Sequence, residues 1–211
     1  MSEQDIRNNL VKWGKSLFER GLTAGSSGNM SVRLDDGFLF TPTNSCLGFL
    51  DAGRLSKLDP SGKHLSGDPP TKELPLHFGF YEQRPASRAV VHLHSTYATA
   101  LSCLSDTDPK DAIPPITPYV VMRVGEVPVV PYTRPGSAEV KPMIDALAAN
   151  HPAVLLENHG PVVAGASLDA AVFAIEELEE AAKLAIILRG MKVRHLAPEA
   201  VADLNRHFRL K

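Results

Sequence analysis

"AVVHLHSTYATA", residues 89–100, decides how this chain is read. Its valine-rich start has the pattern of a buried strand, and STYATALSCL after it has the pattern of a helix. Side chains two apart on a strand share a face, so His92 and His94 present two imidazoles side by side. A divalent metal accepts that geometry, and so does a core in which both rings find hydrogen-bond partners. A strand used only for packing would more naturally carry Val or Ile at both positions.

Outward from this strand, the same alternation of short strands and helices continues in both directions. Ser2 with Asp5 makes a helix start, Leu10, Trp13, Leu17 and Phe18 form its apolar stripe, and Gly21 is placed to end it. SVRL and FLFTPT read as strands joined by Asp35-Asp36-Gly37, and LSKLDPSGKHLSG as a strand pair around Asp59-Pro60-Ser61-Gly62. TKELPLHFGFYEQ, from Thr71, reads as a helix with Pro75 tolerated in its first turn. EVPVVPYTRPGS is strand then loop, EVKPMIDALAAN a helix, and AVLLENHGPVVAG two strands around an Asn158-His159-Gly160 turn. SLDAAVFAIEELEEAAKLAIILRG is the longest helix, capped by Ser167 and ended near Gly190, and APEAVADLNRHFRLK is a last one. Strands interleaved with helices, without repeat or linker, predict a single α/β domain over residues 1–211 with a mixed or antiparallel sheet flanked by helices.

Composition narrows the partners. The chain has 211 residues, a formal net charge of −2, 44% hydrophobic and 22% charged residues. That length buries a substantial core without staples, and that charge gives no general reason to expect nucleic acid or an anionic membrane. Cys46 and Cys103 stand in no CxxC pattern and read as two free thiols in a reducing compartment. The start, MSEQDIRNNLVKWGK, is charged throughout, so no signal peptide is expected, and no apolar run approaches the ~18 residues that span a bilayer. The expectation is a cytoplasmic protein.

Three further elements could join the histidine pair. His159 sits in "LLENHGPVVAG", between Asn158 and Gly160 at the sharp end of two apolar strands; it points somewhere specific or faces water. Glu73, in "PPTKELPLH", is an acid near a helix start, where it complements the helix dipole or serves as a displaceable ligand. Three histidines and one carboxylate make a zinc-type set that leaves a place for substrate. "TAGSSGNMSVR", residues 23–33, offers the small residues, backbone N–H groups and hydroxyls of an anion-binding nest, or is simply flexible. "TPTNSCLG", residues 41–48, adds hydroxyls and turn formers. Neither GxxxxGK[ST] nor GxGxxG occurs. His64, His77, His151, His195 and His207 read as ordinary surface or structural histidines.

In this order, GSSGNMSVR, TPT, the Pro70–Glu73 element, AVVHLHS and ENHGPVV resemble the class II aldolase family of the fuculose-phosphate aldolase and ribulose-phosphate 4-epimerase type, over nearly the whole chain. The resemblance implies a three-layer α/β/α fold with a mainly antiparallel sheet, and a homotetramer with active sites between subunits. It implies Zn²⁺, or another divalent ion such as Mn²⁺ or Co²⁺, on His92, His94 and His159, with Glu73 as acid/base and possible fourth ligand. Substrate phosphate would lie on Gly28, Asn29, Thr43, Asn44, Thr71 and Lys72, and Tyr119 stands near where the aldolases bring in a proton-donating tyrosine from a neighbouring subunit. Asn44 replaces the usual glycine and Lys72 the usual hydroxyl residue, which leaves the ligand more open than the metal site. The shared chemistry is a metal-stabilised enediolate, left when a bond to the carbon beside a ketone breaks. Among subfamilies, "AGSSGNMSVR", "TPTNSCLGFLD" and "SGDPPTKELPLH" most resemble the short bacterial 3-oxo-tetronate 4-phosphate decarboxylases of acid-sugar catabolism, a carboxy-lyase activity giving dihydroxyacetone phosphate and CO₂. The alternatives are a sugar-phosphate aldolase of the fuculose-1-phosphate type, and a non-catalytic interaction module like the adducin head.

Overall fold

The structure, a computed structural model, describes residues 2–208. Its centre is the strand quoted above, β5 (Ala89–His92), which is flanked on one side by β1 (Asn29–Arg33) and on the other by β8 (Gly160–Gly165). With β2 (Phe38–Phe40), β3 (Ser56–Leu58), β4 (His64–Ser66), β6 (Val129–Val130) and β7 (Ala153–Leu156), the sheet runs β4-β3-β2-β1-β5-β8-β7-β6. Every pairing is antiparallel except β6 with β7.

Burial on both faces explains why β5 is apolar without alternation. Ala89 and Val91 enter one core with Leu10 and Leu17 of α1 (Glu3–Glu19) and Val172 and Ile175 of α6 (Leu168–Ile187). Val90 enters the other, with Leu76 and Phe80 of α2 (Leu74–Gln83) and Ile144 of α5 (Val140–Ala148). α3 (Thr96–Ser102) and α4 (Pro118–Arg123) add to the first core, and α7 (Pro198–His207) lies along it through Val201 and Leu204. Two helical layers around a mainly antiparallel sheet are the architecture expected from the sequence. Fully burying each such Val or Leu is worth about 1.5–3 kcal/mol. Shifting β5 by one residue would exchange its two faces and carry His92 out of the site.

The helix ends follow their local chemistry. Ser2 and Asp5 form the capping box of α1, and the Ser167 hydroxyl accepts from the Ala170 N–H at the start of α6. α6 ends at Ile187, just short of Gly190. Helix α2 starts at Leu74, three residues later than its sequence pattern suggests, because the chain from Thr71 to Glu73 is held against the sheet: the Thr71 N–H donates to the Thr41 carbonyl at 3.2 Å. α4 occupies a stretch with no helical pattern of its own; Pro118 at its first turn starts it. Both cysteines are unpaired thiols. No helix among the described residues is long and apolar enough to cross a membrane.

Candidate active site

The C-terminal end of β5 gathers the chemistry. The His92 side chain is fully buried; His94 lies two residues on, beyond the strand and before α3, so it joins His92 from the connection rather than from the ladder itself. His159 comes from the turn between β7 and β8, where Asn158 takes a left-handed φ of 54°. Gly160 after it (φ 154°) has no room for a side chain, since a Cβ would stand 2.4 Å from the Leu93 carbonyl. The tight turn therefore presses the His159 backbone onto the strand end that carries the other two rings.

The three Nε2 atoms converge: His92 to His94 is 3.2 Å and His92 to His159 is 3.3 Å. His92 donates through Nδ1 to the Pro161 carbonyl at 2.9 Å, which fixes the tautomer and leaves a lone pair on Nε2. Burial lowers the basicity of all three, His159 to about 4, so the imidazoles are neutral near pH 7. Tetrahedral ligands 2.0–2.1 Å from zinc stand about 3.4 Å from one another, so the observed spacing and tautomer fit a divalent ion. These three are the group among the described residues whose ligand atoms all lie within 4.8 Å of one another.

Glu73 stands beside them as the residue preceding α2. Its carboxylate makes no capping hydrogen bond to the start of α2. Instead Oε2 lies 3.5 Å from His92 Nε2, Oε1 lies 3.7 Å from His159 Nε2, and Asn29 Nδ2 donates to Oε2 at 2.7 Å. Burial pushes the carboxyl up, the positive charge that His92 and His159 carry once protonated and the Asn29 hydrogen bond pull it down, and the net direction is below its ordinary value. Asn29 is in place because β1 pairs with β5 so that it sits directly opposite His92.

A cleft of about 210 Å³ opens on this cluster, lined by the Ser26–Asn29 loop, Thr43, Asn44, Thr71, Lys72, Glu73, His94 and His159. It thus brings together Gly28, Asn29, Thr43, Asn44, Thr71 and Lys72, the residues singled out for substrate phosphate. A Cβ on Gly28 (φ 78°) would meet the His92 carbonyl at 2.9 Å, so the loop can lie this close to the strand only with glycine there. Asn44 adopts φ 56°, the left-handed region that asparagine tolerates best among side-chain-bearing residues. Tyr119 is not brought to the cleft within one chain: it lies 54% exposed on α4, with the Arg123 guanidinium 5.9 Å from its ring centre.

Two buried residues support the site that sequence patterning does not single out. Glu179 on α6 accepts the Tyr97 and Ala98 N–H groups at 2.9 and 2.8 Å, anchoring the start of α3 just after His94. His77 on α2 bonds Asn29 Oδ1 through Nε2 at 2.5 Å, and burial holds it neutral, down to about 3. The only sequence signal for His77 is its position one helical turn after Glu73.

Fold and histidine cluster agree with one protein family. The Class II Aldolase and Adducin N-terminal domain family matches residues 8–186, and the chain belongs to it. Class II aldolases depend on a divalent metal, and this chain carries a histidine triad able to bind one. Among its relatives, the 3-oxo-tetronate 4-phosphate decarboxylase of Pectobacterium atrosepticum is 56% identical over 97% of this chain and 94% of its own. The Escherichia coli K12 protein of the same name is 51% identical over 96% of both chains. The L-fuculose phosphate aldolase of Escherichia coli K12 is more distant, 34% identical over 87% of this chain and 84% of its own. In three dimensions, YgbL from Klebsiella pneumoniae superposes with a TM-score of 0.94 at 50% identity, covering 97% of this chain and 99% of that one.

Proposed function

We propose that this chain is a divalent-metal-dependent carboxy-lyase that converts 3-oxo-tetronate 4-phosphate to dihydroxyacetone phosphate and CO₂. The observation that carries the reading is the donor set: three neutral imidazoles aimed at one point with an ionised carboxylate against two of them. The choice of decarboxylation over aldol cleavage rests on the relatives, 56% and 51% identical for decarboxylases against 34% for the aldolase.

In this reading His92, His94 and His159 hold the ion, with Glu73 as a further ligand before substrate enters. Zinc suits three imidazoles with one carboxylate, and Mn²⁺ and Co²⁺ are the alternatives. When bound, the ion supplies Lewis-acid chemistry, drawing electron density from the substrate's ketone. Gly28, Asn29, Thr43, Asn44, Thr71 and Lys72 hold the phosphate, Lys72 adding a positive charge for a dianionic ligand. Phosphate binding at one end of the cleft sets the bond between C1 and C2 beside Glu73. As that bond breaks, its electron pair stays on C2 and CO₂ leaves. Glu73 takes up the proton of the C2 hydroxyl and returns it to C2, and a solvent proton restores the hydroxyl. We propose further that the chain is a single domain, that it works in the cytoplasm, and that it assembles as a homotetramer in which Tyr119 of one subunit reaches a neighbour's cleft. A non-catalytic role like that of the adducin head would leave the complete donor set without a use.

Incubating the metal-loaded protein with 3-oxo-tetronate 4-phosphate and following both products tests the reading. Equal amounts of CO₂ and dihydroxyacetone phosphate are expected. No CO₂ from this substrate, with aldehyde released from fuculose 1-phosphate instead, would move the assignment to the aldolase.

A further inference from the structure

The chemistry of Glu73 extends inward as well as outward. Asn29 joins its carboxylate at 2.7 Å to His77 at 2.5 Å; His77 Nδ1 lies 2.7 Å from Ser31 Oγ, and Ser31 Oγ lies 2.8 Å from Tyr81 Oη. Asn29, Ser31, His77 and Tyr81 are 6%, 0%, 0% and 2% exposed, so water cannot replace any member of this chain. The residues span β1 and α2, which no helix or strand periodicity would require to be polar here.

One acceptor fixes the direction of every bond. An ionised carboxylate only accepts, so the Asn29 amide must turn its Nδ2 to Glu73 and its Oδ1 to His77. His77 must then carry its proton on Nε2, which leaves Nδ1 to accept from the Ser31 hydroxyl. The Ser31 oxygen in turn accepts from the Tyr81 hydroxyl. All four donors therefore run the same way, Tyr81 to Ser31 to His77 to Asn29 to Glu73, and hydrogen bonds aligned head to tail strengthen one another.

We propose that His77 is a positioning residue for the reaction, holding the Asn29 amide so that it directs the Glu73 carboxylate at the reacting carbon. This rests on the reading of Glu73 as the proton carrier. His77 touches neither substrate nor metal and acts only through Asn29. With an apolar side chain at position 77, Asn29 Oδ1 loses its donor, the amide is free to turn, and Glu73 loses the bond that sets its orientation.

The test combines kinetics with a measurement that needs no turnover. In the zinc-loaded enzyme His77→Phe is expected to lower kcat by about tenfold, the effect of one hydrogen bond to a charged group, with KM within about twofold and metal content unchanged. His77→Gln, whose amide can still donate to Asn29, recovers most of that loss. In a Glu73→Gln background His77→Phe costs nothing further. Nitrogen NMR of the histidine rings in the zinc-loaded protein is expected to find the His77 proton on Nε2, with a resonance that moves in Glu73→Gln. A proton on Nδ1 overturns the proposal, as does an unchanged kcat in His77→Phe, or losses that multiply with Glu73→Gln. The NMR result stands even if substitution at position 77 prevents folding. Failure of the underlying reading looks different: Glu73→Gln itself would turn over at the wild-type rate.

Discussion

Glu73 has two sides, and they are built on opposite principles. On its inner side Asn29, His77, Ser31 and Tyr81 are buried and bonded to one another, so the protein supplies every partner. On its outer side the Ser26–Gly28 loop, Thr43, Asn44 and Lys72 line an open cleft, and Lys72 is exposed. The inner side orients one carboxylate in advance; the outer side is left for a charged ligand to complete. A site of this kind separates chemistry from binding, and substitutions on the two sides should damage different kinetic constants.

The largest effect is expected at the junction. Glu73→Gln keeps the shape and can still accept from Asn29, but it carries no proton; kcat should fall by about 10²–10⁴ while the metal stays. Steady-state kinetics with metal analysis checks it, and unchanged turnover would remove Glu73 from the chemistry. On the outer side Lys72→Met should raise KM by about tenfold through loss of one charge contact, leaving kcat within about twofold. A fall in kcat alone would erase the distinction between the two sides.

A further effect lies on the inner side and is one of stability. Burial lowers His77 from 6.5 to about 3, so between those values the unfolded chain binds a proton that the folded one does not. The protein therefore loses stability as pH falls from 6.5 toward 3, and holds it above 6.5. Urea midpoints measured across that range should fall less steeply in His77→Gln than in the wild type. Equal slopes would mean that His77 is not the neutral, buried group described here.

Much of the outer side was legible in the sequence, and much of the inner side was not. The valine run with His92, the ENHG turn and the two hairpins announce themselves by periodicity and turn chemistry, both local properties. Even Asn44, which the family resemblance marks as a departure, fits once its φ of 56° is known. Local rules misplaced Glu73, read into a first turn: the chain from Thr71 is tied to the sheet and delays α2. They also put His94 on the strand that ends at His92. His77 and Glu179 stayed unassigned because their partners lie 48 and about 80 residues away, a separation that no pattern in one chain encodes. Tyr119, exposed on α4 away from the cleft, has its meaning only if a second subunit brings it there.

The account stands on the convergence of three Nε2 atoms, and elemental analysis of the purified protein tests it most directly. About one divalent ion per chain is expected, and His159→Ala should lose it along with all CO₂ release. A chain that binds no metal and keeps full activity in chelator, or one in which His159→Ala holds the ion as tightly as the wild type, would contradict it.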